Sequence, residues 1–103
     1  MKKILLAAAV AAGLLSAPGH AADAQALAAS KSCLACHAID KKLMGPAFKE
    51  VAKKYAGVAG AEAKLIDKVI KGGGGVWGPI PMPANKVTPE EAKTLVQWVL
   101  AQK

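Results

Sequence analysis

Two thiols and an imidazole within five residues, Cys33-Leu34-Ala35-Cys36-His37, constrain this chain more than any other feature it carries. Residues three apart on a helical turn share a face. Both thiols can therefore bond the two vinyl groups on one edge of a porphyrin, and the next residue sets an imidazole beneath the iron. Cys-x-x-Cys-His is accordingly a c-type haem attachment signature. Cys33 and Cys36 would form the thioethers and His37 would be the proximal ligand. Three other chemistries use paired cysteines. A structural disulfide suits this spacing poorly. A thiol–disulfide redox pair fits an oxidising compartment. A zinc site needs further Cys or His ligands, and residues 22–103 offer none beyond these three.

The N-terminus says where such a site would be assembled. Met1-Lys2-Lys3 is basic, Ile4 to Leu15 is apolar or small, and Ser16-Ala17-Pro18-Gly19-His20-Ala21 combines helix breakers with a small-x-small site. This is the pattern of a secretory signal peptide. The apolar run falls short of the ~20 residues a membrane span needs. Residues 1–21 are read as the signal, cleaved after Ala21, and residues 22–103 as one domain, periplasmic and free of the membrane after cleavage.

A domain of that size buries only a small core and usually needs a disulfide, metal or cofactor to complete it. The chain of 103 residues carries a net charge of +7, its basic residues all lysine. The lack of arginine and of basic residues interleaved with aromatics argues against nucleic acid.

Every periodic segment has helical spacing, so the expected fold is all-α, with four helices and one large loop. Asp23 can cap a helix to about Lys31 with Ala24, Leu27 and Ala28 on one face. Asp40 to Pro46 reads as a loop. Ala47 to Ala56 carries Phe48, Val51, Ala52 and Tyr55 at helical intervals, and Ala61 to Lys71 carries Leu65, Ile66, Val69 and Ile70. Gly72 to Val87 is a long loop rich in Gly and Pro, the kind that is usually functional. Thr88-Pro89-Glu90-Glu91 is a helix start with a capping box and Pro at its first position. That helix runs to about Ala101 with Ala92, Leu95, Val96, Val99 and Leu100 on one face, and Trp98 is assigned to the core.

The far side of the iron needs its own ligand. Met44 follows His37 too closely to reach round a porphyrin disc and is read as packing. Met82 lies in Trp77-Gly78-Pro79-Ile80-Pro81-Met82-Pro83, where prolines on both sides fix φ and remove rotational freedom. A stiffened loop presenting one thioether suits a ligand that stays put in both oxidation states. With His37 and Met82 both on the iron, no position stays open for substrate, which points to electron transfer rather than catalysis.

These residues together resemble a small bacterial class I c-type cytochrome, of the kind called cytochrome c-551 or c-552. The likeness rests on Cys33 to Asp40, Gly45-Pro46-Ala47, Val76 to Pro83 and Gln97-Trp98-Val99-Leu100. It implies four helices around one covalently bound haem c, with the first and last helices crossing. It also implies that the Pro46 carbonyl accepts from His37 Nδ1–H and that Asn85 donates to the Met82 sulfur. Trp77 would donate its indole N–H to a haem propionate, with Lys68 near the same propionate. The unbroken run Gly72 to Gly75 departs from the pattern and suggests a more mobile loop.

The implied role is a monomeric one-electron carrier. The resemblance suggests periplasmic nitrite reductase, haem-copper terminal oxidase, di-haem peroxidase and bc1-type donors as partners, and does not choose among them. The lysines either steer the protein to acidic docking faces or simply solvate it. Two rival classes are a periplasmic thiol–disulfide oxidoreductase and a haem protein with an open iron that binds gas or peroxide.

Overall fold

The computed structural model describes residues 17–103. Helix α1 (Ala17–Ser30) leads through a 3-10 turn at Cys33–Ala35 to α2 (Phe48–Tyr55), α3 (Ala61–Lys71) and α4 (Pro89–Leu100). Among the described residues there is no strand, and the all-α expectation holds. The basic and apolar parts of the expected signal, Met1 to Leu15, lie outside the described residues.

Local chemistry fixes the start of α4. Thr88 Oγ1 accepts from the Glu91 N–H at 3.1 Å, and the Thr88 N–H donates to Glu91 Oε1 at 2.9 Å. Pro89 follows at the first helical position, where its missing N–H costs no intrahelical bond. Ala92, Leu95, Val96 and Trp98 make the buried face, while Val99 and Leu100 are half-buried. α4 packs against each of the other three helices.

α1 packs on α4 through small residues. Ala24 and Ala28 are fully buried, so the two backbones approach closely, with Leu27 packed beside them. The helix already runs at Ala17, the first described residue, ahead of the expected start at Asp23. Alanines flank Asp23 on both sides and have the highest helix propensity. The expected cleavage point after Ala21 therefore lies within this helix.

α2 has no side-chain cap at Ala47. Its first N–H groups are met from elsewhere: Phe48 N–H donates to Ala38 O at 2.9 Å and Lys49 N–H to Ile39 O at 3.0 Å. This satisfies donors that a helix start leaves free and ties α2 to the segment after His37. Phe48, Val51 and Ala52 are buried, whereas Tyr55 is half-buried. Glu50 in the first turn and Lys53 and Lys54 in the last match the helix dipole.

α3 begins at Gly60, with φ of 78°, and ends at Gly72, with φ of 79°. Leu65, Ile66, Val69 and Ile70 are only half-buried, and Leu65 and Val69 line a cleft. The buried core gathers Ala24, Ala28, Phe48, Leu95 and Trp98 under α4. Among the described residues no polar or charged side chain is buried.

Candidate haem site

A cleft of about 550 Å³ opens between the 3-10 turn, α3 and the loop after α3. That volume lies within the roughly 300–1,000 Å³ of small-molecule and cofactor sites. Cys33, Cys36 and His37 line it, and so do Met82, Lys68 and Trp77. Pro46 lines it as well, so the site residues expected from the sequence meet at one cleft, except Asn85, which acts through the loop contacts described below.

The His37 wall is built by packing. His37 Nδ1 lies 2.7 Å from Pro46 O, so Nδ1 carries the hydrogen and donates it, leaving the Nε2 lone pair available. The imidazole stacks on Phe48 at 4.9 Å between centroids with 22° between planes. Phe48 in turn meets the Trp98 edge at 5.4 Å. Below the ring sits Gly45, where a Cβ would lie 2.6 Å from His37 Cε1 and 2.9 Å from Nδ1. Gly45 N–H donates to Cys36 O at 2.7 Å, which closes the loop back onto the motif. The sequence marked Gly45 as a helix breaker and part of the family likeness; in the fold it also leaves room for the ring.

Both cysteines are free and half-buried. Burial pushes the Cys33 thiol above its ordinary value, against a smaller opposing effect of a backbone hydrogen bond. A reactive redox thiol needs the reverse, a lowered pKa that favours thiolate. Ser32, just ahead, has φ of 65°, the one left-handed non-glycine among the described residues.

The Met82 wall is built from backbone. Met82 N–H donates to Gly73 O at 2.7 Å, and Gly73 N–H donates to Met82 O at 2.9 Å. The glycine run expected to be mobile is thus bonded at its second residue. Asn85, expected to donate to the Met82 sulfur, instead directs its Nδ2 hydrogens to Val69 O at 2.9 Å and Pro83 O at 3.3 Å. Its backbone N–H also donates to Val69 O, at 3.2 Å. A primary amide has only two hydrogens, and both have carbonyl acceptors here, one at the end of α3 and one in the loop itself.

Lys68 reaches over Gly73, where a Cβ would lie 2.7 Å from its Nζ. Trp77 is partly exposed, with Lys54 Nζ 5.6 Å from its ring centroid, a cation–π contact the sequence did not signal. Met44 lines the cleft, at its edge rather than in the buried core.

The residues fit a c-type haem. Two thiols stand on one rim, an imidazole with its tautomer fixed stands beside them, a thioether stands on the loop wall, and the lining is largely apolar. Among the described residues there is no cluster of His, Cys, Asp and Glu able to hold a bare metal ion. No helix among them is long and apolar enough to cross a membrane.

Known proteins agree with this chemistry. The cytochrome c family profile matches residues 21–103. Cytochrome c-551 of Pseudomonas aeruginosa is 54% identical over the whole of both chains. Cytochrome c-552 of Hydrogenobacter thermophilus is 50% identical, again over the whole of both. The crystal structure of wild-type Nitrosomonas europaea cytochrome c552 superimposes with a TM-score of 0.74 at 44% identity, covering 77% of this chain and 99% of that one. The attachment signature, the helical fold around an apolar cleft and matches of this length lead to one conclusion: the chain belongs to the cytochrome c family, as a small class I c-type cytochrome.

Proposed function

We propose that the protein is a periplasmic one-electron carrier, with haem c held by Cys33 and Cys36 and its iron ligated by His37 and Met82. The observation that carries the reading is the cleft itself, lined by His37 with its Nδ1 tied to Pro46 O and by Met82 on a loop bonded at both its N–H and its O. When bound, the haem supplies the ferric–ferrous couple. His37 and Met82 would both be held by the iron, which would leave no place for substrate and raise the potential. The Pro46 carbonyl holds the His37 tautomer and increases its basicity. Phe48 stops the imidazole from turning. These restraints keep the ligands still when the charge changes, which a carrier needs.

Lys68 and Trp77 are the groups proposed to meet the propionates, and both line the cleft. Asn85 is proposed to act on Met82 indirectly, by fastening the loop to the last turn of α3. Residues 1–21 would be removed on export, leaving residues 22–103 as the working domain. A surface of this positive charge suits acidic docking faces, with association that slows as salt rises. Nitrite reductase, a haem-copper terminal oxidase, a di-haem peroxidase and a bc1-type donor are the proposed classes of partner.

The test is an optical spectrum of the protein matured with haem, oxidised and reduced. Low-spin bands on reduction and a weak far-red sulfur-to-iron band when oxidised are expected. Met82→Ala should abolish the far-red band, lower the potential and admit carbon monoxide to the reduced iron. High-spin bands in the unmodified protein would favour an open-iron, gas-binding or peroxidatic reading. Absence of haem together with alkylation of Cys33 and Cys36 would favour the thiol oxidoreductase.

A further inference from the structure

The approach of the Met82 loop to the end of α3 is closer than any side chain would allow. At Gly72 a Cβ would lie 2.6 Å from Met82 O, 2.7 Å from Ala84 N and 2.9 Å from Pro83 C. All three are backbone atoms on either side of the Met82–Pro83 link, so no rotamer change could make room. Gly72 also has φ of 79° and caps α3 by donating to Lys68 O at 2.7 Å. It therefore joins a rigid helix to the ligand-bearing loop.

The neighbouring glycines behave differently. Gly73 makes the paired hydrogen bonds to Met82. At Gly74 a Cβ would lie 3.2 Å from Pro81 Cα, a tight but softer contact. Gly75 has φ of 89° and nothing within 4 Å of the position a Cβ would take. Gly72 and Gly75 thus share a positive φ and differ in what stands opposite them.

We infer that Gly72 is a positioning residue for Met82: its missing side chain lets the end of α3 set where the thioether stands. This rests on Met82 being an iron ligand. α3 is held by its packing on α4, so a side chain at residue 72 displaces the loop rather than the helix. The displacement breaks the Gly73–Met82 pair and moves the sulfur with it. Within the glycine run, positional control is then concentrated where the sequence is least distinctive.

The experiment compares Gly72→Ala, Gly74→Ala and Gly75→Ala in the haem-containing protein. Three readouts are taken: the far-red band, carbon monoxide binding to the reduced form, and amide exchange at the Met82 N–H. Gly72→Ala should weaken the band, bind carbon monoxide and exchange the Met82 amide about tenfold faster or more. Gly75→Ala should carry the conformational penalty of a positive φ but keep the band and the slow exchange. Gly74→Ala should fall between them, and it replaces Gly72→Ala in the comparison if that variant takes up no haem. Equal behaviour of the 72 or 74 variant and the 75 variant, with the band present in the unmodified protein, would overturn the inference alone. Absence of the band from the unmodified protein would overturn the Met82 ligation and the inference with it, while exchange at the Met82 amide would still report whether the backbone contact exists.

Discussion

The two walls of the cleft hold their ligands by different physics. His37 stands on a stack of side chains, Phe48 and then Trp98, that runs directly into the buried core. Met82 touches the rest of the protein through main-chain hydrogen bonds and a glycine fit. One wall shares the stability of the core. The other can loosen without the core unfolding, because backbone hydrogen bonds rather than a side-chain stack into the core tie it to the protein. A two-ligand site built this way should fail on the Met82 side first.

The largest expected effect comes from the His37 wall. Phe48→Ala removes a buried ring that touches both His37 and Trp98, and aromatic truncations of this kind cost about 3–5 kcal/mol. Denaturant unfolding of the haem-containing variant checks it. A loss under about 1 kcal/mol would show that the ring is not seated in the core, and the contrast between the walls would go.

Asn85→Ala is the counterpart on the Met82 wall. It deletes the amide bonds to Val69 O and Pro83 O but keeps the backbone bond to Val69. A cost of about 1–2 kcal/mol is expected for bonds of this exposure. It should appear chiefly as faster exchange at the Met82 amide and a weaker far-red band, with little change in the global unfolding midpoint. If the midpoint falls as far as for Phe48→Ala, the two walls are one cooperative unit.

Thr88→Ala breaks the capping box of α4, worth about 1 kcal/mol. Since α4 carries Trp98, the loss belongs to the core and should leave the far-red band unchanged. Denaturation followed at the haem and by far-ultraviolet circular dichroism would separate the two. A band that weakens while the global midpoint holds would couple the Met82 loop directly to the Thr88 cap, only a short stretch of chain away.

The same contrast explains what the sequence made legible. The Cys33–His37 signature, the Thr88 cap and the Phe48, Val51, Ala52 stripe are local patterns, each set by neighbours within a turn or two. The His37–Pro46 bond was reached through resemblance, and spans a short loop. What escaped depends on distant backbones meeting. Asn85 reads as a turn residue or a sulfur donor until Val69 O is known to lie beside it. The glycine run reads as slack until Met82 is found paired with Gly73. The helical segment Ala17 to Ala22 shows a plainer limit: in an alanine-rich stretch Asp23 does not enforce the boundary its capping ability suggests.

The smallest expected effect concerns the entry to the His37 wall. Ser32 holds φ of 65° directly before Cys33, with no side-chain cap bond to offset the conformation. A left-handed conformation costs a non-glycine residue about 1 kcal/mol, and glycine adopts it freely. Ser32→Gly also loosens the unfolded chain, which offsets part of the gain. A net stabilisation of about 0.5 kcal/mol is therefore expected, a rise of roughly 2–4 °C in the melting temperature for a domain this small. The far-red band should not change, because the turn is tied to α1 by Ser32 N–H to Ala29 O and lies across the cleft from Met82. If Ser32→Gly instead destabilises the protein, the serine is restraining the thiol-bearing turn in a way its backbone angle conceals. The His37 wall would then depend, like the other, on the conformation of a single backbone residue.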